Sequence, residues 1–316
     1  MKTMRDVVID KIFEKMHQND RIFFLSADMG APSLDRRRAQ FTHRFLNVGI
    51  AEQNLVNIAT GLALEGFCVY AYAIAPFLAM RAYEQTRTNL SLLSQIRRFN
   101  VNLIGVGGGV SYDVSGPTHH CLEDLTLMRT LPHLVVFSPS DWVLAERFVD
   151  YSLELNQPKY IRLDGKPLPS IYEENGNIHL EKGFCELKKG KDICIVSTGY
   201  MTHKALRIAK ALAENHERMG VVDVFLLKPL DETSLKSTLQ KYKVVITAEE
   251  AFVGKGGLDS LVSCIMEDAN CTVKVKRLGF GDEYTFSTGG RDYLYAQHHL
   301  SDADFISLID ESKRLL

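Results

Sequence analysis

Apolar positions fall along this chain in short continuous runs that alternate with longer stretches at helical spacing. Residues 4–18 place apolar side chains three and four apart between charges, which predicts an amphipathic helix. RIFFLSAD follows as strand and loop, then a helix near 51–65, FCVYAY as a strand, a helix near 76–95 and VNLIGV as a strand. LVVFSP, DWVLAERFVDYSLEL and KYIRL repeat the order strand, helix, strand. Such alternation predicts a mostly parallel sheet with helices on both faces. It breaks at Pro167, Pro169 and the polar EENGN, a stretch expected to run over the surface as an interdomain linker. A second alternation then begins. DICIVSTG, the helix MTHKALRIAKALAENH, VVDVFLL, a helix after Asp231, KVVITAEE, a helix after Gly257 and VKVKRLG end in a helix near 302–314. The expected architecture is α/β with two doubly wound domains: a larger one over 1–170, a linker over 171–185 and a smaller one over 186–316. At 316 residues, surface-to-volume scaling favours the same division.

Composition narrows the class. Hydrophobic residues at 46% and charged residues at 24% are those of a soluble globular protein. A net charge of −2 with scattered Lys and Arg leaves no footprint for nucleic acid, and the short cluster Arg36, Arg37, Arg38 reads as a solvated loop. The six cysteines form no C-x-x-C pair and mostly lie in apolar surroundings, which predicts reduced, buried thiols and no zinc site. The amino terminus lacks the apolar core of a signal peptide, and no segment reaches the roughly 20 apolar residues of a membrane span. A cytoplasmic protein is expected.

Ligands of open α/β sheets bind at the carboxyl ends of strands, so the loops there are the candidates for chemistry. Four stand out: SADMGAPS, NVGIAEQN, AYAIAPFLAMRAYEQ and GGGVSYDVSGPTHHCLED. In NVGIAEQN, Glu52 lies in the first turn of a helix whose body, LVNIATGLAL, is almost wholly apolar. A negative side chain there gains a few tenths to ~1 kcal/mol from the helix dipole, which alone accounts for it. A helix this apolar is buried, however, and a buried carboxylate needs a specific partner. Gly107, Gly108 and Gly109 match neither dinucleotide nor P-loop spacing, so they serve close backbone approach or a mobile loop. His119 and His120 are adjacent, so their side chains diverge and do not chelate one metal; site and structure are equally open for them. In AEEAFVGKGGLDS, capping of a strand-to-helix turn accounts better for the two acids than a second site.

Taken together, NVGIAEQN, GPTHHCLEDLTLMRTLP, KPLD, TAEE and GGLDS resemble the pyrimidine-binding and C-terminal domains of the transketolase family, from about Ala27 to the last helix. NVGIAEQN followed some 60 residues later by GPTHH is the specific pairing, and the length is similar to that of a split form made as two chains. The resemblance implies that Glu52 bonds N1′ of the aminopyrimidine ring of thiamine diphosphate and favours its imino tautomer, as a charge-assisted bond out of water would. It further implies Asp28 and Met29 beside the cofactor, Phe77 stacked on the ring and Ile74 where a second aromatic is usual. His119 matches the substrate-pocket histidine. Ser33, Ser115 and His120 fall on the substrate side. No metal ligand is implied in this chain.

The family's Gly-Asp-Gly segment and following asparagine, which bind the diphosphate and its divalent metal, are missing; GFGDE near Gly281 does not qualify. The resemblance therefore implies an N-terminal partner subunit that holds the diphosphate end and Mg²⁺ or Ca²⁺. The working assembly would be α2β2, the cofactor shared across it, with a sugar as substrate. Members acting on sugar phosphates usually carry an aspartate before the GPTH run, a histidine upstream and an arginine after the strand matching KYIRL. Here these places hold Ser115, Gly107 and Gly165, with Lys166 or Arg162 as alternative cations, which points to a non-phosphorylated, branched or nucleotide-linked sugar. Competing readings are a 2-oxo-acid dehydrogenase β subunit, a deoxyxylulose phosphate synthase, disfavoured by length, and a non-catalytic homologue that only binds a partner.

Overall fold

The computed structural model describes residues 1–214, 216–267, 271–314 and 316. The apolar runs Ile22–Ser26, Cys68–Ile74, Asn100–Val106 and Lys159–Leu163 become the inner strands of a seven-stranded sheet. Strands covered on both faces need apolar side chains on both, which is why these runs are continuous. The order across the sheet is 226–228, 135–137, 159–163, 100–106, 68–74, 22–26 and 45–47, all parallel except the first pair. Alternate residues of one strand feed opposite faces: Tyr70 and Tyr72 pack with the helices Met4–Gln18 and Trp142–Glu154, while Val69, Ala71 and Ala73 pack with Glu52–Leu64.

The second sheet has five strands in the order 274–280, 244–252, 193–197, 220–224 and 184–188, of which only the last is antiparallel to its neighbour. The apolar cluster under the Glu52 helix continues without a gap into Val222, Val224, Leu258 and Val262 of this half. Among the described residues no helix is long and apolar enough to cross a membrane. All six cysteines are free thiols; Cys121 and Cys194 are buried, Cys68, Cys185 and Cys271 are half-buried, and Cys264 departs from the expected burial by standing exposed.

Three elements differ from the sequence pattern, each for a tertiary reason. The run VVDVFLL is not one strand. Gly220–Val224 stays in the second sheet, and Leu226–Lys228 crosses over to pair antiparallel with Val135–Phe137 at the edge of the first. The stretch after Pro167 does not simply skirt the surface. Pro167–Leu168 pairs with Lys2–Thr3, the N–H groups of Ile171 and Tyr172 donate to the Asp141 carboxylate, and the Tyr172 hydroxyl donates to Asp223 at 2.9 Å. Asp223, also bonded by Ser140 and Thr202, is pushed up to about 7 by its burial. Finally, the helix near 76–95 is broken into π-helical turns at Phe77–Arg81 and Thr86–Leu92, the kind of widened turn that helices place at functional sites.

Candidate active site

The Glu52 helix starts directly beneath the carboxyl end of the sheet. Gly49, in the left-handed region at φ 76°, turns the chain into it, a conformation that a side chain would resist. Asn47 locks this entry. Its Oδ1 accepts from the N–H groups of Gly49 and Asp28, each at 3.0 Å, and its Nδ2 donates to Asp28 Oδ1 at 2.9 Å. Asp28 itself is held at φ 53°, a left-handed conformation that Asp tolerates better than most residues. The loop after the first inner strand and the NVGIAEQN turn are thus one hydrogen-bonded unit.

Glu52 is 2% exposed. Its Oε2 accepts from Arg81 Nη1 at 2.5 Å, and the Arg81 guanidinium lies over the Phe77 ring with Cζ 4.8 Å from the centroid. The edge of the same ring meets the His119 imidazole, centroid to centroid 5.3 Å at 69°. Three residues expected from sequence, Glu52, Phe77 and His119, are therefore brought together, and Arg81 joins them. Ile74 ends the strand that feeds this π turn, and Met29 packs half-buried at the edge of the neighbouring apolar cluster.

The loop carrying the histidines is closed at its base by the paired bonds of Gly109 and Cys121, 3.0 and 2.8 Å. The three glycines before it serve close approach: a Cβ on Gly109 would lie 2.2 Å from Glu250 Oε2, and one on Gly108 2.8 Å from Arg162 Cγ. Loop and second domain are braced together, since buried Asp113 takes the Lys166 ammonium and its carbonyl accepts from Gly289 N–H at 3.3 Å. His120 is 4% exposed, neither of its ring nitrogens is bonded among the described residues, and burial lowers its pKa against the pull of the Asp113 charge. Ser115 stands exposed on the loop. Ser33 is not brought to this cluster. It is fully buried, and its hydroxyl donates to Asp10 and accepts from Arg36 on the side of the first helix.

Beneath the loop lies a buried charge network that joins the domains. Arg162 is buried and donates through Nε to Asp124 at 2.8 Å and through Nη2 to the carbonyls of Cys121 and Glu250. Arg291 donates to Asp164 at 2.6 Å, and its Nε lies 3.1 Å from Glu250 Oε1 as an ion pair without hydrogen-bond alignment. Tyr295 completes Glu250 with a 2.6 Å bond. Of the two acids in TAEE, Glu249 is the cap. Its oxygens accept from the N–H groups of Leu258 and Asp259 at 2.7 Å each, and burial pushes it up to about 7. Among the described residues no group of three or more His, Cys, Asp or Glu could hold a metal.

Sequence reasoning missed Asn47 and Arg81. Asn47 opens a motif already singled out, so its place was visible and its bonds were not. Nothing in the sequence marks Arg81, because its reach to Glu52 depends on the π turn.

A buried carboxylate bonded to Arg81 over an aromatic ring, beside a parallel sheet braced by a second α/β domain, is the setting of an α/β enzyme. Residues 1–169 match the transketolase pyrimidine-binding domain and residues 185–304 the transketolase C-terminal domain, and the chain belongs to the transketolase family. It is 32% identical over 310 residues, 98% of this chain and 94% of the relative, to the 6-deoxy-6-sulfo-D-fructose transketolase subunit SqwH of Clostridium sp. (strain MSTE9). It is 35% identical over 268 residues, 84% of each chain, to an apulose-4-phosphate transketolase subunit of Actinobacillus succinogenes. A solved structure described as a split gene transketolase, inactive beta4 tetramer, superposes with a TM-score of 0.86 at 32% identity over 98% of both chains. The fold also matches the transketolase of Campylobacter jejuni, TM-score 0.77 at 19% identity, of which this chain spans 46%. Within the family this chain is thus of the C-terminal subunit type of a split transketolase.

Proposed function

We propose that this chain supplies the pyrimidine half of a thiamine diphosphate site and, with an N-terminal partner subunit, transfers a two-carbon ketol unit from a ketose donor to an aldose acceptor. The observation that carries the reading is Glu52, a carboxylate buried at a helix start whose one side-chain partner among the described residues, Arg81, is 44% exposed. The residues present fit an aminopyrimidine. Glu52 would share a proton with ring nitrogen N1′, the Phe77 face would stack on the ring, and Ile74 and Met29 would wall it on the apolar side. Asp28, fixed by Asn47, would hold its charge at the same edge. Thiamine diphosphate, when bound, supplies the electron sink for breaking the carbon–carbon bond next to the donor carbonyl. His119, steadied by Phe77 and by Thr118 Oγ at 3.1 Å from its Nδ1, would bind donor oxygens, with His120 behind it.

The diphosphate and its Mg²⁺ or Ca²⁺ are assigned to the partner, since this chain lacks a Gly-Asp-Gly segment. An α2β2 assembly and a cytoplasmic location complete the reading; the related β4 tetramer described as inactive supports the need for a second kind of chain. In a calorimetric titration with Mg²⁺ present, thiamine diphosphate will bind tightly only after this chain has been mixed with its partner. Tight binding to this chain alone would place the diphosphate site here and remove the need for a partner.

On the substrate, Arg162 is buried against Asp124 and the half-exposed Lys166 beside the loop is paired with Asp113, and a lysine grips an anion as a point charge without the fork of an arginine. We assign to this site a sugar that does not depend on an arginine of this chain, non-phosphorylated or branched. Ketol transfer from xylulose 5-phosphate will be weak next to such a donor, and a normal rate on it would sink the assignment.

A further inference from the structure

Arg81 is the one participant in the cluster that the reading of Glu52 as the cofactor carboxylate does not use. Its guanidinium is flat and carries N–H donors along its edge. It does two things at once: it donates to Glu52 Oε2 at 2.5 Å, and it lies over the Phe77 ring at 4.8 Å. A protonatable aminopyrimidine would make the same pair of contacts, a donor to the carboxylate and a flat face to the ring. No other ion-pair partner of Arg81 is found among the described residues, and its side chain is 44% exposed. It is thus free to leave toward solvent, and it ends the π turn Phe77–Arg81, whose widened backbone sets it above Phe77.

We propose that Arg81 is a built-in occupant of the pyrimidine place, which satisfies the buried Glu52 carboxylate in the empty chain and must swing out when the ring enters. The inference rests on the cofactor reading of Glu52. A carboxylate as buried as Glu52 without a partner would be costly or would take up a proton. Arg81 offsets that cost while the site is empty by giving the buried carboxylate a charged donor. The same contact opposes the ligand, because ring binding has to break a charge-assisted hydrogen bond and a stacking contact before making its own. The apparent affinity is that of the open site reduced by the fraction of chains with Arg81 withdrawn.

The test is calorimetric titration of 4-amino-5-hydroxymethyl-2-methylpyrimidine into the full chain, and of thiamine diphosphate with Mg²⁺ into the complex with its partner subunit. Wild type is compared with Arg81→Ala, Arg81→Gln and Glu52→Gln. Arg81→Ala will tighten binding about tenfold, the equivalent of one charge-assisted bond, and will lower the melting temperature of the cofactor-free chain. Arg81→Gln, which keeps a neutral donor for Glu52 and protects folding, will fall between alanine and wild type. Unchanged or weaker binding in both Arg81 variants, with Glu52→Gln still weakening it, overturns the occupant role and leaves the reading of Glu52 standing. Unchanged binding in Glu52→Gln as well overturns that reading and the inference with it. If the fragment alone binds too weakly to titrate, the complex decides by the same order of affinities.

Discussion

Glu52→Gln, in the complex reconstituted with its partner subunit, will lower kcat by about a hundredfold or more, the scale set by loss of a positioned proton-sharing group. Glutamine is nearly isosteric, so the helix start, the Asn47 lock and the packing of LVNIATGLAL should survive. What is lost, on the proposed reading, is the ionisable carboxyl offered to N1′: an amide there would not exchange a proton with the ring. Circular dichroism should be unchanged while turnover collapses, and that contrast separates chemistry from folding. Unchanged turnover would favour a chain that only binds its partner.

Arg291→Met will destabilise the chain by about 3–5 kcal/mol, the usual cost of breaking a buried pair by removing one partner. Arg291 sits 2.6 Å from Asp164 and 3.1 Å from Glu250, with both carboxylates buried in the seam between the domains. Methionine fills comparable volume but leaves two acids without their cation. Burial already raises the Glu250 pKa. Without Arg291 it rises further above its unfolded value, so the native state binds more protons than the unfolded one and stability falls as pH increases. Urea midpoints should therefore show the largest loss above neutral pH, and adding Glu250→Gln should recover part of it. A midpoint within experimental error of wild type would show that the seam is held by its apolar contacts.

The parallel α/β pattern was legible because strands buried on both faces must be written as unbroken apolar runs, and several helices carry their own caps, such as Thr3, Asp141 and Ser301. Glu52 was legible for a related reason: a charge at the mouth of a wholly apolar helix is an unusual juxtaposition. The break after Val224 was not, since Phe225 is as apolar as its neighbours and only the exposed edge of Val135–Phe137 decides where the next three residues go. Glu250 was half legible. Neighbours on a strand point to opposite sides, so one acid of the pair had to face away from the helix that the other caps, but its partners Arg291 and Tyr295 lie some forty residues on. Arg81 and Asn47 act through turns whose geometry the sequence does not spell out.

The crossing of Leu226–Lys228 from one sheet to the other has a bearing on where this protein can be cut. A fragment that stops short of it would leave Val135–Phe137 as a raw sheet edge, with backbone donors and acceptors turned outward and ready to join another copy. The halves that share a seam of apolar contacts also share a strand, so cutting between them would expose both at once. The linker expected over 171–185 therefore offers no harmless breakpoint, since the strand that ties the two sheets together lies beyond it.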